Sequence, residues 1–249
     1  MNAILERQHF SVSLAAAYFS IADLQAQTGQ ESNQWRHVIL KELIDNGLDA
    51  AGAAGHAPDI RIEFAETADG LTLAIADNGP GIPPPVVERL LDFTGFFGNK
   101  AIYRAPLRGQ QGNAFKTVLG VPVALSRERR SRTLIESAGI RHDLQIWVSP
   151  SGTVRREHQQ TPATTPPGTR ITVTIPGPAE CYFWNPTRWA TAYALFNPHA
   201  RIQIRKIGPD QTRILGSDEV KPAESPISDL SLPPTVAFPG DRWRKFLPT

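Results

Sequence analysis

Apolar positions early in the chain recur at the spacing of an amphipathic helix. The pattern is clearest over residues 31–51, where a stripe of aliphatic side chains predicts a long helix that ends at Gly52 and Gly55. A weaker stripe with the same period over residues 11–28 predicts one or two short helices that end at Gly29. Helical segments are therefore predicted to come before any strand.

Strict alternation replaces the helical period in the next part of the chain. Residues 59–65 and 71–76 alternate apolar and polar side chains on either side of Asp69-Gly70, which predicts an antiparallel hairpin. Three prolines then precede a short helix predicted over residues 86–92. Residues 93–112 are rich in glycine and poor in aliphatic side chains, so they predict a long mobile loop, a feature that is usually functional.

Predicted strands dominate the second half of the chain. Helices are predicted over residues 113–120 and 186–196, and a polar, proline-rich connection over residues 158–168. The predicted strands cover residues 121–125, 132–138, 142–148, 170–175 and 200–206. After residue 216 the sequence shows no period. This order of elements predicts an α+β fold with a mixed, mostly antiparallel sheet and helices on one face.

Composition narrows the class of protein only slightly. Hydrophobic residues make up 41% of the 249 residues, and the net charge of +2 by itself favours neither a nucleic acid nor a membrane as partner. Cys181 is the single cysteine, which excludes a disulfide framework within the chain and a zinc site built on several cysteines. No segment approaches the ~18 apolar residues of a spanning helix, and the N-terminus lacks a secretion signal. We therefore expect a cytoplasmic protein with no membrane partner.

Four arginines lie close together after the predicted strand 121–125. They are Arg127, Arg129, Arg130 and Arg132. A solvated turn between two strands explains such a cluster, and so does a surface that faces phosphate groups. The sequence alone leaves both interpretations open.

The predicted helix over residues 31–51 carries a carboxylate and a carboxamide one turn apart. Glu42 and Asn46 are four positions apart, so they share one face of the helix. Together they can serve a hydrated Mg²⁺ and a water molecule, because Mg²⁺ prefers oxygen ligands and keeps several waters. A carboxylate beside the ion can orient or deprotonate an attacking water. An ordinary amphipathic helix with polar residues towards solvent also explains the pair.

A second polar segment follows the predicted strand 71–76 directly and reads Asp-Asn-Gly-Pro-Gly-Ile over residues 77–82. A carboxylate at the end of a strand can accept a hydrogen bond from an exocyclic amine such as adenine N6. Gly79 and Gly81 allow the backbone to approach a flat ring closely. A plain Asp-Asn-Gly turn is the alternative interpretation.

A third segment, residues 108–116, reads Arg-Gly-Gln-Gln-Gly-Asn-Ala-Phe-Lys and leads into a predicted helix. A glycine-rich loop at a helix N-terminus offers unpaired N–H groups and a positive dipole end, which suit an anion. The segment lacks the Gly-Lys-Ser/Thr of a P-loop and is not set in a parallel βαβ unit. Lys116 is placed either to reach a phosphate or to lie on the outer face of the helix.

Taken together and in this order, with Thr169 before the strand 170–175 as a fourth element, these segments resemble the motifs of the GHKL ATPase superfamily. That superfamily contains gyrase-type topoisomerases, the 90-kDa heat-shock chaperones, sensor histidine kinases and MutL. The three segments most resemble the B subunit of type IIB topoisomerases (topoisomerase VI), and the stretch Ala-Tyr-Ala-Leu-Phe-Asn-Pro-His-Ala over residues 192–200 resembles it as well. The resemblance implies a Bergerat-type two-layer sandwich that binds ATP with Mg²⁺.

The resemblance also implies a role for individual side chains. Glu42 is expected to be the general base that activates water, and Asn46 to ligate Mg²⁺. Asp77 is expected to bind adenine N6, with Gly81 packed under the base and Thr169 behind Asp77. These expectations are carried over from the family motifs that this sequence matches.

The phosphates are expected to be bound by backbone N–H groups of the glycine-rich loop. The residues concerned are Gly109, Gln110, Gln111, Gly112, Asn113 and Ala114. Lys100 lies where the lid of such proteins can carry a lysine that contacts phosphate. The predicted nucleotide-binding set is completed by Asp49, Gly79, Ile82, Phe115 and Lys116.

We expect three regions along the chain. They are a helical or strap segment over residues 1–30, the ATP-binding domain over residues 31–210 and a proline-rich extension over residues 211–249. In topoisomerase, MutL and chaperone relatives a lysine from a following domain reaches the γ-phosphate, and this sequence holds no such domain. We therefore expect slow hydrolysis by this chain alone, and either a continuation into further domains or a protein that works without that lysine.

Four functions fit the resemblance. In the first, ATP orders the loop and the N-terminal segment of a topoisomerase VI B-like protein, which then forms a homodimer that acts on DNA together with a DNA-cleaving partner. In the second, a MutL-like or MORC-like ATPase clamps DNA without cutting it. The third is a nucleotide sensor with little turnover. The fourth is a histidine-kinase phosphotransferase, for which His37 is poorly placed because it lies in the same predicted helix as Glu42.

Overall fold

The computed structural model describes residues 17–93, 114–177 and 184–208, together with the backbone of residues 214–220. Its helices are α1 (Ile21–Thr28), α2 (Trp35–Ala53), α3 (Pro84–Leu90), α4 (Ala114–Leu125) and α5 (Pro186–Phe196), and a short 3-10 helix, Ser32–Gln34, precedes α2. Its strands are β1 (Asp59–Thr67), β2 (Gly70–Ala76), β3 (Arg130–Ser137), β4 (Ile140–Val148), β5 (Val154–Pro162), β6 (Thr169–Pro176), β7 (Arg201–Ile207) and β8 (Ile214–Val220). Within these described ranges no helix combines the length and apolar character needed to cross a bilayer.

The described strands form one sheet in the order β5-β4-β3-β6-β2-β1-β7-β8. β1 and β7 pair in parallel, and the other neighbouring strands pair antiparallel. The hairpin predicted around Asp69-Gly70 is present as β1 and β2, with Thr67 opposite Gly70. The predicted α+β class and the mixed, mostly antiparallel sheet are therefore confirmed.

The two faces of the sheet differ in chemistry. The face towards the helices is apolar: Ile62, Leu73 and Val173 on three adjacent strands are completely buried against α2 and α4. The opposite face, here called the open face, carries charged and polar side chains such as Arg170 and Glu63. The apolar alternation along each central strand thus fixes which face the helices cover.

Residues 121–125, predicted as a strand, are the second half of α4, so this prediction was wrong. The helix is apolar on every side, and Val118, Leu119, Val121 and Val123 are all completely buried. A short run of β-branched residues gives no helical period when the whole circumference is buried, so the sequence pattern could not distinguish the two states. Pro122 lies within the helix and favoured the wrong interpretation.

The polar, proline-rich connection was predicted over residues 158–168, but β5 runs from Val154 to Pro162, so the predicted start of the connection was too early. β5 is an edge strand whose side chains are mostly exposed, and it therefore lacks the apolar alternation by which the other strands were recognised. β8 likewise lies within the predicted extension 211–249, and it pairs with β7.

The N-terminal part of the described chain packs across α4. A Cβ on Gly120 of α4 would overlap the Tyr18 carbonyl oxygen, so the glycine allows the two backbones to touch. The Phe19 and Phe93 rings meet edge to face, with 4.9 Å between their centroids. Arg129 donates a hydrogen bond to the Phe19 carbonyl at 3.0 Å. These contacts tie residues 18 and 19 to the layer of helices.

Replacing Gly120 with alanine is expected to lower the free energy of unfolding by about 1–3 kcal/mol, because the added methyl group must displace Tyr18 from α4. Gly52→Ala in α2 is the matched control: outside its own helix nothing would lie within 4 Å of the added methyl group, and alanine favours a helix by about 0.5–1 kcal/mol. Urea unfolding of both variants measures the difference. Equal stability of the two variants would contradict the close packing of Tyr18 on α4.

Candidate functional site

Asp77 lies at the end of β2, where the sheet meets α2. Its Oδ1 accepts a hydrogen bond from the Gly79 N–H at 2.8 Å and another from the Thr169 N–H at 3.3 Å. The Asp77 N–H in turn donates to the Thr169 carbonyl at 2.9 Å. Both described hydrogen bonds to the carboxylate go to Oδ1, so Oδ2 remains available to a ligand as far as the described residues are concerned.

Close packing of α2 against this strand end depends on glycines. A Cβ on Gly47 would lie 2.8 Å from Ile60 Cδ1 and 3.1 Å from Asp77 Cβ. A Cβ on Gly79 would lie 2.8 Å from the Ala50 side chain. Small residues on both sides therefore bring the helix that carries Glu42 and Asn46 into contact with the Asp77 turn.

Burial raises the pKa of Asp77 above its ordinary value, and the N–H groups of Gly79 and Thr169 oppose this change by stabilising the carboxylate. The side chain is only partly buried, and its orientation is fixed by these two bonds. A carboxylate held in this way at the end of a strand can accept a hydrogen bond from an amine on a ring that enters the site.

Ser137, a residue that sequence reasoning missed, joins two loops beside Asp77, those that carry Ile82 and Gly168. Its completely buried Oγ accepts a hydrogen bond from the Ile82 N–H at 2.7 Å and donates to the Gly168 carbonyl at 3.0 Å. The same oxygen lies 3.2 Å from Thr169 Oγ1. A Cβ on Gly81 would lie 2.9 Å from this hydroxyl. A serine at the end of a strand carries no sequence pattern that would have indicated this role.

Asn78 fixes the loop between α2 and β1 and was also not assigned a role from the sequence. Its Oδ1 accepts from the Asp59 N–H at 2.8 Å, and its Nδ2 donates to the Ala57 carbonyl at 2.9 Å. The Asp-Asn-Gly segment is therefore more than a plain turn, because Asp77 faces α2 while Asn78 holds the start of β1.

Glu42 and Asn46 lie on α2 as predicted. Glu42 Oε1 forms an ion pair with the Lys41 ammonium at 3.0 Å, and its side chain is one-fifth exposed. Lys41 also pairs at 3.0 Å with Asp45, which is buried and accepts a hydrogen bond from the Tyr193 hydroxyl at 2.8 Å. Asp45 thus links α2 to α5, whereas Asn46 is exposed.

The oxygen donors of Glu42 and Asn46 fit a Mg²⁺ ion that keeps most of its water ligands. Both side chains reach solvent on the helix that packs against Asp77. Among the described residues no cluster of three or more His, Cys, Asp or Glu could hold a metal by itself. The two oxygen-bearing side chains leave most of the coordination sphere of Mg²⁺ to water and phosphate oxygens.

The predicted phosphate-binding residues are described only in part. Lys100, Gly109, Gln110, Gln111, Gly112 and Asn113 lie outside the described residues. Ala114 begins α4 and is half-buried, and Phe115 belongs to the hydrophobic core. Asp49 is half-buried on α2, and Ile82 packs against the core. The sequence prediction for the glycine-rich loop itself stays a prediction.

Lys116 does not lie on the outer face of α4, since its side chain is completely buried. Its ammonium is 5.3 Å from the centroid of the Tyr18 ring. Burial lowers the pKa of Lys116, and the carboxylate of Asp92 opposes this change. The residue therefore joins the start of α4 to the N-terminal segment, and contact with a phosphate stays a prediction.

His37 of α2 is occupied by packing contacts. Its ring stacks on Trp189, with 5.4 Å between the centroids, and its Nε2 accepts a hydrogen bond from the Asn185 N–H at 3.1 Å. Burial lowers the pKa of His37. This environment is that of a structural histidine and agrees with its poor placement as a phosphoacceptor.

The described site is therefore a partly buried carboxylate at a strand end, with a helix carrying a carboxylate and a carboxamide packed against it. The profile of the family described as histidine kinase-, DNA gyrase B-, and HSP90-like ATPase matches residues 32–179. Because this match covers more than half of the chain, the chain belongs to that ATPase family, and the match includes α2, Asp77 and Thr169.

Three curated relatives similar to this chain are B subunits of type 2 DNA topoisomerase 6. The chain is similar to the B subunit of type 2 DNA topoisomerase 6 from Natronomonas pharaonis, with 29% identity over 180 residues that cover 67% of this chain and 21% of the relative. It is 29% identical to the protein of that name from Halobacterium salinarum over 75% of this chain and 24% of the relative. The corresponding values for Methanosarcina mazei are 30%, 73% and 29%. The matched part thus spans under a third of these relatives' length.

Proposed function

We propose that this chain binds ATP with Mg²⁺ and hydrolyses it slowly as the ATP-operated dimerisation gate of a DNA-processing protein similar to the B subunit of topoisomerase VI. The observation that carries the proposal is the packing of α2 on the Asp77 turn: a Cβ on Gly47 would lie 3.1 Å from Asp77 Cβ. Gly47 directly follows Asn46, so this contact joins the segment expected to carry the general base and the Mg²⁺ ligand to the segment expected to bind adenine.

In this proposal each side chain has one task. Asp77 Oδ2 accepts a hydrogen bond from adenine N6, while the N–H groups of Gly79 and Thr169 keep the carboxylate ionised and oriented. Asn46 contributes an oxygen ligand to Mg²⁺, which neutralises phosphate charge when it is bound. Glu42 orients and deprotonates the attacking water.

Slow turnover is supported by the surroundings of Glu42. Oε1 of the carboxylate is paired with the Lys41 ammonium at 3.0 Å, so this oxygen shares its charge with Lys41 and Oε2 is the one better placed to accept the proton of a water. This pair also favours a second candidate, a sensor that binds ATP and hardly turns it over. The two candidates differ in whether hydrolysis is measurable.

The names of the similar proteins suggest which partners this chain has. Their names describe a B subunit of a DNA topoisomerase, so we propose DNA and a DNA-cleaving subunit as partners of this chain. We also propose that ATP favours a homodimer, through an order–disorder change of the kind that a γ-phosphate can control. A MutL-like or MORC-like clamp would use the same site without a cleaving partner.

Replacing Glu42 with glutamine tests the assignment of the base. The variant is expected to bind a non-hydrolysable ATP analogue as the wild type does, because the amide keeps its size, but to lose at least about a hundredfold in turnover. Calorimetric titration with and without Mg²⁺ measures binding, and phosphate release measures turnover.

Glu66→Gln is the matched control, because Glu66 pairs with Lys206 between β1 and β7 and has no proposed catalytic role. It should leave both binding and turnover unchanged. Measurable wild-type hydrolysis that persists in Glu42→Gln would disprove the role of Glu42. Wild-type binding without turnover would favour the sensor, and no binding of the Mg²⁺–analogue complex would disprove the proposed function.

A further inference from the structure

One row of side chains on the open face differs from the rest of that face. Residues 130, 147 and 155 are paired across β3, β4 and β5, so Arg130, Trp147 and Arg155 lie side by side. Neighbouring strands are about 4.8 Å apart, which places the two arginine backbones roughly 10 Å from each other with the indole between them. The row lies at the start of β3, next to the turn that carries Arg127.

Arginines elsewhere on the open face are neutralised by carboxylates. Arg132 forms a two-oxygen ion pair with Asp143, with Nη2 to Oδ2 at 2.5 Å. Arg141 pairs with Glu136 at 2.7 Å, and this pairing continues towards the centre of the sheet, where Arg170 pairs with Glu63 at 2.5 Å. The charge of each of these arginines is thus already balanced by a carboxylate.

The arginines of the row are not neutralised in this way. Arg127, Arg130 and Arg155 are exposed, and within the described part of the chain none of them forms an ion pair. Residues 127–130 and 155–157 together contain five arginines and two glutamates, so this end of the sheet carries net positive charge. Such a surface attracts a polyanion.

Trp147 determines which part of a polyanion the row can bind. The Arg130 guanidinium lies over the indole, 5.1 Å from the ring centroid. This cation–π contact holds the guanidinium in place, and it covers a face of the ring on which a base would otherwise stack. The row is therefore built for phosphate oxygens, which a planar guanidinium can bind with two parallel hydrogen bonds.

We propose that Arg130, Trp147 and Arg155, with Arg127 beside them, form a surface that binds the phosphate backbone of duplex DNA. This inference rests on the proposed function in a DNA-processing protein and adds the place at which the ATP-binding domain itself contacts DNA. The sequence left open whether the arginine cluster is a solvated turn or a surface that faces phosphate groups. In this proposal Arg129 and Arg132 stabilise the fold through Phe19 and Asp143, while Arg127 and Arg130 bind phosphate. Arg155 joins them from a strand that was not predicted.

Fluorescence anisotropy of a labelled 30-base-pair duplex, titrated with the full chain at several salt concentrations, tests the surface. Each lost phosphate contact lowers the slope of log K against log salt by about 0.9, so Arg130→Gln and Arg155→Gln should each lower it by about 1 and the double variant by about 2. The double variant should also bind at least about tenfold more weakly at low salt. Trp147→Leu should weaken binding several-fold while the slope stays that of the wild type.

Arg188→Gln is the matched control, because Arg188 is an exposed arginine of α5, away from the proposed surface. Its loss changes the net charge equally and should leave the slope unchanged. A duplex affinity of the double variant equal to that of the wild type, no wild-type binding at low salt, or tighter Arg130-dependent binding of single-stranded DNA would each overturn the surface. Titration of the same samples with the ATP analogue separates this failure from that of the proposed function, since normal nucleotide binding leaves the latter intact.

Discussion

Replacing Asp77 with asparagine is expected to weaken binding of an ATP analogue at least about a hundredfold, because a charge-assisted hydrogen bond is lost and an amide N–H₂ can face the amine of adenine. The variant should remain folded. Asparagine keeps an oxygen that can accept from the N–H groups of Gly79 and Thr169, which now hold Oδ1. Calorimetric titration in the presence of Mg²⁺ measures the loss.

The same substitution has an expected effect on stability that separates folding from binding. Burial raises the pKa of Asp77, so its contribution to stability is largest at low pH and is lost as the pH rises through that raised value. At pH 7 the ionised side chain therefore costs stability, and the neutral amide removes this cost. Urea unfolding at pH 7 should show a variant at least as stable as the wild type.

Asp69→Asn is the control for the change of charge, because Asp69 is exposed in the turn between β1 and β2. It should leave nucleotide affinity unchanged. An Asp77→Asn variant that is folded and binds the analogue as tightly as the wild type would remove Asp77 from the nucleotide site. A loss of affinity that comes with unfolding would instead indicate a structural role.

Gly168→Ala is expected to have the largest effect on stability, about 3–5 kcal/mol. Gly168 has φ of +106°, a conformation that residues with side chains rarely adopt, and its Cβ would overlap the carbonyl oxygen of Asp77. Because the Cβ is bonded directly to the Gly168 backbone and the atom it meets is a backbone oxygen, neither can move without separating β6 from the end of β2. Chemical unfolding of the purified variant measures the loss.

Gly139→Ala separates the two causes. Gly139 also has a positive φ, +77°, but the nearest atom to its Cβ would be 4.0 Å away, so alanine there meets only the backbone strain. It should lose about 1–3 kcal/mol. Equal losses at both positions would show that the contact between Gly168 and Asp77 contributes nothing beyond the strain.

These two predictions describe one property of the site. Thr169 holds Asp77 through the N–H and carbonyl groups of its backbone, while Ser137 ties Gly168 to Ile82. The carboxylate therefore owes its orientation to the junction of β2, β3 and β6. A change at this junction is expected to affect folding and nucleotide binding together, whereas a change of the carboxylate alone affects binding.

The sequence predicted the elements whose two faces differ. β1 was recognised because its side chains alternate between buried and less buried positions, and α2 because one stripe of it packs on the sheet. It did not predict elements in a uniform environment: residues 121–125 are buried all round within α4, and β5 is exposed along most of its length. The apolar residues of an element recur with a regular period only when one of its faces is buried and the other is exposed. An element that is buried or exposed all round shows no such period.

The sequence by itself determined the family, because the motifs that carry it stand in a fixed order and spacing along the chain. The roles of Glu42, Asn46 and Asp77 within those motifs stay predictions. Only the tertiary structure decided what surrounds them. Ser137 reaches the site from a strand 60 residues away from Asp77, and Arg155 meets Arg130 through Trp147. Contacts between strands depend on register and sheet order, which bring together residues that no local pattern relates.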